Sequence, residues 1–217
     1  MKFKNTLLIF FTIGIFYSCN KKDDFNYPEG TVGSSKILYY PSVTINGEHL
    51  IIIKQGDTYT DPGVTSLLNG QPTPAPANTT VNTETPGIYN IVYEAKNPEG
   101  YSASDWRTVV VLDNEVAAND LSGNYLRAAT GVLCTWTKTA AGIYTVENPG
   151  GAGVGAGLTV IAVNYSGNKI AIPKQVSADF GVVSSSTESY DPTSPATIKY
   201  VFIAGGYGPS VRTFVKQ

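Results

Sequence analysis

The sequence predicts an all-β protein, and three observations predict it. Among 217 residues, Gly (22) and Pro (13) together reach 35, Tyr contributes 14 and Met only one, a mixture that favours strands and turns over helices. Apolar and polar residues alternate with a period of two in several stretches, most clearly from Ile88 to Ala95. Turn-forming clusters such as Asn97-Pro98-Glu99-Gly100 and Ser166-Gly167-Asn168 punctuate these stretches at short intervals. With 42% hydrophobic and 15% charged residues the chain has the composition of a folded protein. The formal net charge of -2 and the lack of a basic patch with interleaved aromatics after residue 22 exclude nucleic acid as a partner.

Taken in order, the first element is an address. Lys2 and Lys4 precede an apolar run from Thr6 to Tyr17, shorter than the ~20 residues that span a bilayer, so residues 1–18 read as a secretory signal. Ser18-Cys19 ends the run. Here the sequence resembles bacterial lipoprotein signal peptides, with Phe16 where those signals usually carry Leu. The resemblance implies that Cys19 is lipidated, becomes the mature N-terminus and anchors the chain to a membrane through its acyl chains. Asn20-Lys21-Lys22-Asp23-Asp24 resembles the export tag of Bacteroidetes lipoproteins. That implies an outer-membrane location facing the cell exterior. With Cys19 acylated, Cys134 has no intramolecular partner and packs as a small hydrophobe. Loss of Lys2 and Lys4 leaves 13 basic against 17 acidic residues, a net charge of -4.

Residues 19–35 carry the lipidated cysteine and a polar, glycine-bearing tether. From 36 to 113 the pattern is strand and turn. Val43–Ile45 and Leu50–Ile53 are short strands, and Ile88–Ala95 and Trp106–Leu112 form a hairpin across the Asn97–Gly100 turn. The stretches "GDTYTDPGV" and "VNTETPGIYNIVYEAKNPEGYSASDWRTVVV" resemble the bacterial Ig-like domain family that includes modules of pesticidal crystal proteins, over roughly residues 40 to 112. The resemblance implies a seven-strand Ig-like β-sandwich used as a spacer or presentation module. Leu68 to Ala77 reads as a proline-rich loop. Asp57 and Asp61 are possible calcium ligands, but calcium takes about six to eight oxygens, and carboxylates bonding turn amides is the simpler reading.

An acidic link, Asp113–Asp120, leads to a second domain at 117–217. Its alternation around Tyr144–Glu147, Leu158–Tyr165, Ile198–Ala204 and Val211–Val215 predicts an antiparallel meander that closes as a β-barrel or folds as a β-sandwich. "LSGNYLR" with "TWTKTAAGIYTVENPGG" resembles the C-terminal domains of Bacteroidetes surface lipoproteins that follow Ig-like modules, for which no chemistry is known. The two resemblances together imply kinship with proteins of outer-membrane glycan-uptake systems.

The patterns that carry catalytic chemistry are missing. Gly151–Gly157 contains a nominal Gly-x-Gly-x-x-Ala, but Pro149 precedes it and a strand pattern follows, where dinucleotide binding needs a strand before and a helix after. It reads as a flexible loop bordering a ligand site. The single histidine, His49, lies in the other half of the chain from Cys134, which leaves no hydrolase triad and no zinc cluster. Asp120, Glu147, Asp179, Glu188 and Asp191 are scattered near turns rather than paired as a glycosidase needs. No metal or cofactor is expected, and the chain reads as a non-enzyme.

Ligand capture remains. Sugar rings pack on aromatic faces while amides and carboxylates bond their hydroxyls. The candidates are Trp136 between two threonines, Tyr190 beside Asp191, and Tyr207 among glycines that suggest exposure; core burial competes for Trp136. The expected function is capture or presentation of an extracellular ligand, a glycan, as an accessory of an outer-membrane transporter. A structural or protein-interaction subunit with no small-molecule ligand is the alternative.

Overall fold

A computed structural model of the chain describes residues 28–32, 35–153 and 157–217. The signal 1–18, Cys19 and most of the tether lie outside the described residues. The described residues divide into two units, one up to Tyr39 and one from Tyr40 to Gln217. In the first, β1 (Thr31–Val32) pairs antiparallel with β2 (Ser35–Lys36), and Ile37 N–H donates to Gly30 O at 2.8 Å.

The second unit begins with the Ig-like part. Its strands are β3 (Pro41–Ile45), β4 (Leu50–Lys54), β5 (Val64–Leu68), β6 (Gln71–Pro72), β7 (Gly87–Lys96) and β8 (Ser102–Leu112). They form two three-stranded sheets, β3-β5-β6 and β4-β8-β7, with β4 parallel to β8. The sandwich thus has six strands among the described residues rather than seven. Past β6, Pro74, Pro76 and Pro86 lack the N–H a ladder needs; Asn78 instead accepts from Val92 N–H through its side chain, at 2.8 Å. The stretch expected to be one proline-rich loop from Leu68 opens as a hairpin. Asn69 and Gly70 both have positive φ, 50° and 74°, the two-residue turn that matches strand twist.

Ile45, Ile91, Tyr93 and Val109 form the sandwich core. Arg107 is fully buried beside it. Its guanidinium bonds the Asp61 carboxylate, the Tyr93 hydroxyl at 3.1 Å, and the carbonyls of Asn46 at 2.6 Å and Glu48 at 3.2 Å. Asp61 also accepts from the Tyr93 hydroxyl at 2.6 Å and the Gly63 N–H at 3.0 Å. The two carboxylates weighed for calcium are thereby occupied, since Asp57 accepts from Lys54 N–H at 2.9 Å.

The second part starts at a 3₁₀ turn, Asn114–Ala118, capped by the Asp113 carboxylate on Glu115 N–H. Its strands are β9 (Gly123–Arg127), β10 (Val132–Ala140), β11 (Ile143–Glu147), β12 (Thr159–Ser166), β13 (Lys169–Ala171), β14 (Gln175–Ser177), β15 (Gly181–Asp191), β16 (Thr197–Ile203) and β17 (Val211–Lys216). They make one nine-stranded antiparallel sheet in the order β13-β12-β11-β10-β9-β17-β16-β15-β14. Only Ile172-Pro173-Lys174 separates β13 from β14 at the two ends of that order, so the two are halves of one broken strand. The sheet therefore curls into a barrel of eight staves. Trp136, Tyr125, Tyr144, Tyr200, Phe202 and Phe214 fill its interior, leaving a packed core rather than a ligand cavity.

The two parts share a wall. Along β8 every residue from Arg107 to Leu112 is buried, because alternate side chains face the sandwich core and the barrel. Val110 and Leu112 pack with Val116, Val163 and Ala171, flanked by Leu50, Ile52, Ile143 and Tyr165. A strand covered on both faces reads as a continuous apolar run, which explains the unbroken Val109-Val110-Val111-Leu112.

Candidate functional site

The break in the barrel's strand creates its most distinctive local geometry. Pro173 is buried and offers no N–H, so the ladder on β12 stops and the chain crosses to β15. Two side chains close the resulting seam. The Gln175 amide takes the place of a peptide group: its Oε1 accepts from Ile161 N–H at 2.9 Å while its Nε2 donates to Ile161 O at 2.7 Å. Ser185 N–H donates to Ile172 O at 2.9 Å, and Ile172 N–H donates to Ser185 Oγ at 2.7 Å.

Past Ser185 the seam opens. The register of β15 on β16 shifts between Ser186 and Ser189, and Thr187 sits at a φ of 54°, a left-handed conformation that marks a bulge turning the strand aside. The gap is a groove of about 270 Å³ lined by Tyr165, Asn168, Lys169, Ile170, Glu188, Ser189 and Tyr190. Glu188 Oε1 accepts from Ser185 Oγ at 2.5 Å. Burial, with Glu188 nearby, raises the Tyr165 hydroxyl above its ordinary range; burial, with Asp120 and Asp191, does the same for Tyr190. Both phenols stay protonated near neutral pH and can donate. The groove thus offers two aromatic rings, two hydroxyl donors, an amide, a carboxylate and an ammonium around a space on the scale of one ring-sized ligand.

The sequence-expected binding residues do not converge. Tyr190 lines this groove. Asp191 follows it but is exposed and turned to Thr193, accepting from that residue's N–H at 2.9 Å and hydroxyl at 2.6 Å; those bonds lower its carboxyl. Trp136 is 1% exposed inside the barrel, 6.4 Å from Tyr125 and 5.7 Å from Tyr144 between ring centroids, so it presents no face at a rim. Tyr207 belongs to the opposite end. Its flanking glycines suggested exposure, but the ring is half-buried against Phe202, 5.0 Å away, and Phe180, 6.0 Å away. The loop is held inward by that apolar contact. Sequence reading missed Tyr165 and Lys169, whose meeting with Tyr190 depends on the seam and leaves no local signal.

Other places are poorer in chemistry. A hollow of about 510 Å³ on the Ig-like part is lined by Pro76, Ala77, Asn78, Val92, Glu94 and Ser104, with no aromatic ring. His49 Nδ1 lies 2.8 Å from Trp106 O, which requires that nitrogen to carry the proton, and Lys174 Nζ lies 4.0 Å from the Trp106 ring centroid. Burial lowers the Lys174 ammonium, with Asp105 opposing that effect. Among the described residues no group of three or more His, Cys, Asp or Glu is placed to hold a metal ion.

Residues 43–111 match the family model described as bacterial surface protein, Ig-like domain, and this segment of the chain is an Ig-like domain. No curated protein matches the chain. Among solved structures, a lipoprotein from Bacteroides thetaiotaomicron is similar with 24% identity over 82% of this chain and 100% of its own, at a TM-score of 0.38. A catalytic domain carried with two CBM51 domains from Clostridium perfringens aligns with 10% identity over 84% of this chain and 22% of its own, at a TM-score of 0.29.

Proposed function

We propose that this chain is a non-catalytic, lipid-anchored surface protein that captures a glycan in the seam groove and serves an outer-membrane uptake system. The observation that carries the reading is the meeting of Tyr165 and Tyr190 with Asn168, Lys169 and Glu188 in one open groove. Aromatic rings take the apolar face of a sugar, and the polar groups bond its hydroxyls. Glu188 is the single carboxylate among the lining residues, where glycoside hydrolysis uses two. The surface location rests on the Ser18-Cys19 signal and on the family match, described as a bacterial surface protein domain. The Ig-like domain then spaces the barrel from the lipid.

The test is retention of the purified chain on a panel of immobilised polysaccharides, with Tyr190→Ala and Tyr165→Ala alongside. Binding of one glycan by the wild type, lost in both variants while their far-ultraviolet circular dichroism is unchanged, supports the reading. No retention on any glycan removes it.

A second reading has its own observation. Val176 and Val182 pair across β14 and β15 with 54% and 47% exposure, and Ile203 and Val211 continue the row on β16 and β17 with 47% and 54%. Such an exterior aliphatic row suits a protein partner. Cross-linking on intact cells that a Val182→Lys change abolishes would favour that role.

A further inference from the structure

The end of the barrel away from the seam groove carries a second, unassigned site. Its loops, near residues 128–131, 148–153, 178–180 and 204–210, surround two arginines. Arg127 ends β9 and Arg212 is the second residue of β17. Arg212 is only 6% exposed and Arg127 half-buried. Among the described residues their guanidiniums bond backbone carbonyls: Arg127 Nη1 donates to Gly150 O and Gly151 O, both at 3.2 Å, and Arg212 to Ser210 O at 3.1 Å and Gly208 O at 3.3 Å. The Nε–H of each is buried and has no partner among the described residues. Among the described residues neither forms an ion pair, and the carboxylates of this end, Glu147 and Asp179, are exposed.

A buried guanidinium beside a second, half-buried one, with no counter-charge among the described residues, is unusual. Buried charge is normally paired, because its lost hydration is otherwise not offset. Burial first, and the neighbouring Arg127 second, lower the Arg212 guanidinium, with Tyr200 and Tyr207 opposing them. The surroundings hold it in place nonetheless. A Cβ on Gly151 would meet Arg127 Cδ at 2.6 Å and Phe214 Cε1 at 2.9 Å, and one on Gly150 would run into the Tyr207 ring; Gly151 also sits at a φ of 54°. The glycines of "NPGG" are therefore required by close approach of the backbone to these side chains. The Arg212 guanidinium lies 5.3 Å from the Tyr207 centroid, which fixes the direction of its fork.

We propose that Arg127 and Arg212, with Tyr207 as an aromatic wall, form an anion-binding site for an oxyanion: a carboxylate, sulfate or phosphate group, free or carried on a saccharide. Guanidinium forks bond such groups through paired N–H donors. The site also gives Tyr207 a role unrelated to the seam groove.

Calorimetric titration of the purified full chain with sodium sulfate, phosphate, glucuronate and glucose, at ionic strength held constant with sodium chloride, tests this. Saturable binding of anions and none of glucose is expected, with affinity at least about tenfold lower in Arg127→Gln. Glucuronate binding more tightly than sulfate and phosphate would identify the source as an acidic sugar; the reverse order, as a free ion. Tyr190→Ala should bind anions as the wild type does, so failure of the groove reading leaves this one standing. The proposal is overturned if no anion binds saturably to the wild type, or if Arg127→Gln binds as well as wild type. Should Arg127→Gln not fold, Arg127→Lys keeps the charge but loses the fork; undiminished affinity in it overturns the proposal equally.

Discussion

The sandwich and the barrel solve the same problem in different ways. The Ig-like part has a small core, and a buried ionic network, Arg107 with Asp61 and Tyr93, ties its Asn46–Glu48 and Asp61–Gly63 loops together. The barrel is filled by aromatic volume, and polar side chains, Gln175 and Ser185, mend its seam. Geometry explains the difference. Two three-stranded sheets enclose little space, so orientation must come from directional bonds, whereas a closed barrel encloses a volume that large rings fill. The lesson is that the sandwich should be sensitive to charge and the barrel to shape.

The sharpest contrast is between Arg107→Ala and Trp136→Ala. Removing Arg107 leaves Asp61 and the carbonyls of Asn46 and Glu48 without their arginine donor, at a cost of about 3–5 kcal/mol. Removing the Trp136 ring opens a cavity in the barrel at a similar cost of about 3–5 kcal/mol. Urea unfolding should show both. Adding Asp61→Asn to each should then give strong coupling with Arg107→Ala and additivity with Trp136→Ala. Equal coupling in both pairs would break the comparison.

Acid separates the two parts next. Burial alone would raise the Asp61 carboxyl, but the Tyr93 hydroxyl, the Gly63 N–H and the Arg107 charge outweigh it and hold the value below the ordinary range. A depressed folded value means that stability is fully present above the unfolded value of about 4 and is lost as pH falls through the folded one. Hydrogen exchange below about pH 4 should loosen β7 and β3 before the barrel strands, and Asp61→Asn should remove that pH dependence while lowering stability at neutral pH.

The seam offers a smaller effect. Gln175→Ala deletes the amide that joins Ile161 to β14 and should cost about 1–3 kcal/mol, with faster exchange confined to the Ile161 amide and its neighbours. Smallest is Cys134→Ala, at about 1 kcal/mol. Burial pushes the Cys134 thiol up to about 12, so a disulfide reagent at pH 8 should react only after unfolding. Rapid labelling of the native chain would mean that the barrel opens more readily than its packing implies.

Much of this architecture is legible in the residues. Alternation marks β7, and the Thr-Pro-Gly-x-Tyr lead-in and the valine-rich closing strand mark the Ig-like domain. Other signals were present but unread. Asn69-Gly70 between apolar residues is a hairpin turn, and Arg107 shares its strand face with Val109 and Val111, so an inward arginine with a buried partner could have been inferred. Trp136 likewise shares the inward face of β10 with Cys134, which accounts for its burial.

By itself, the sequence determined strand content and turn positions, because these depend on neighbouring residues: propensity, period and local dihedral preference. Tertiary structure alone decided that β13 and β14 are halves of one stave, that Gln175 stands in for a peptide group, that Tyr165 and Tyr190 flank one groove, and that two arginines share the other end. Each of these joins positions far apart in the chain, and a pairing across a closed barrel is set by register and curvature, which no local run of residues specifies.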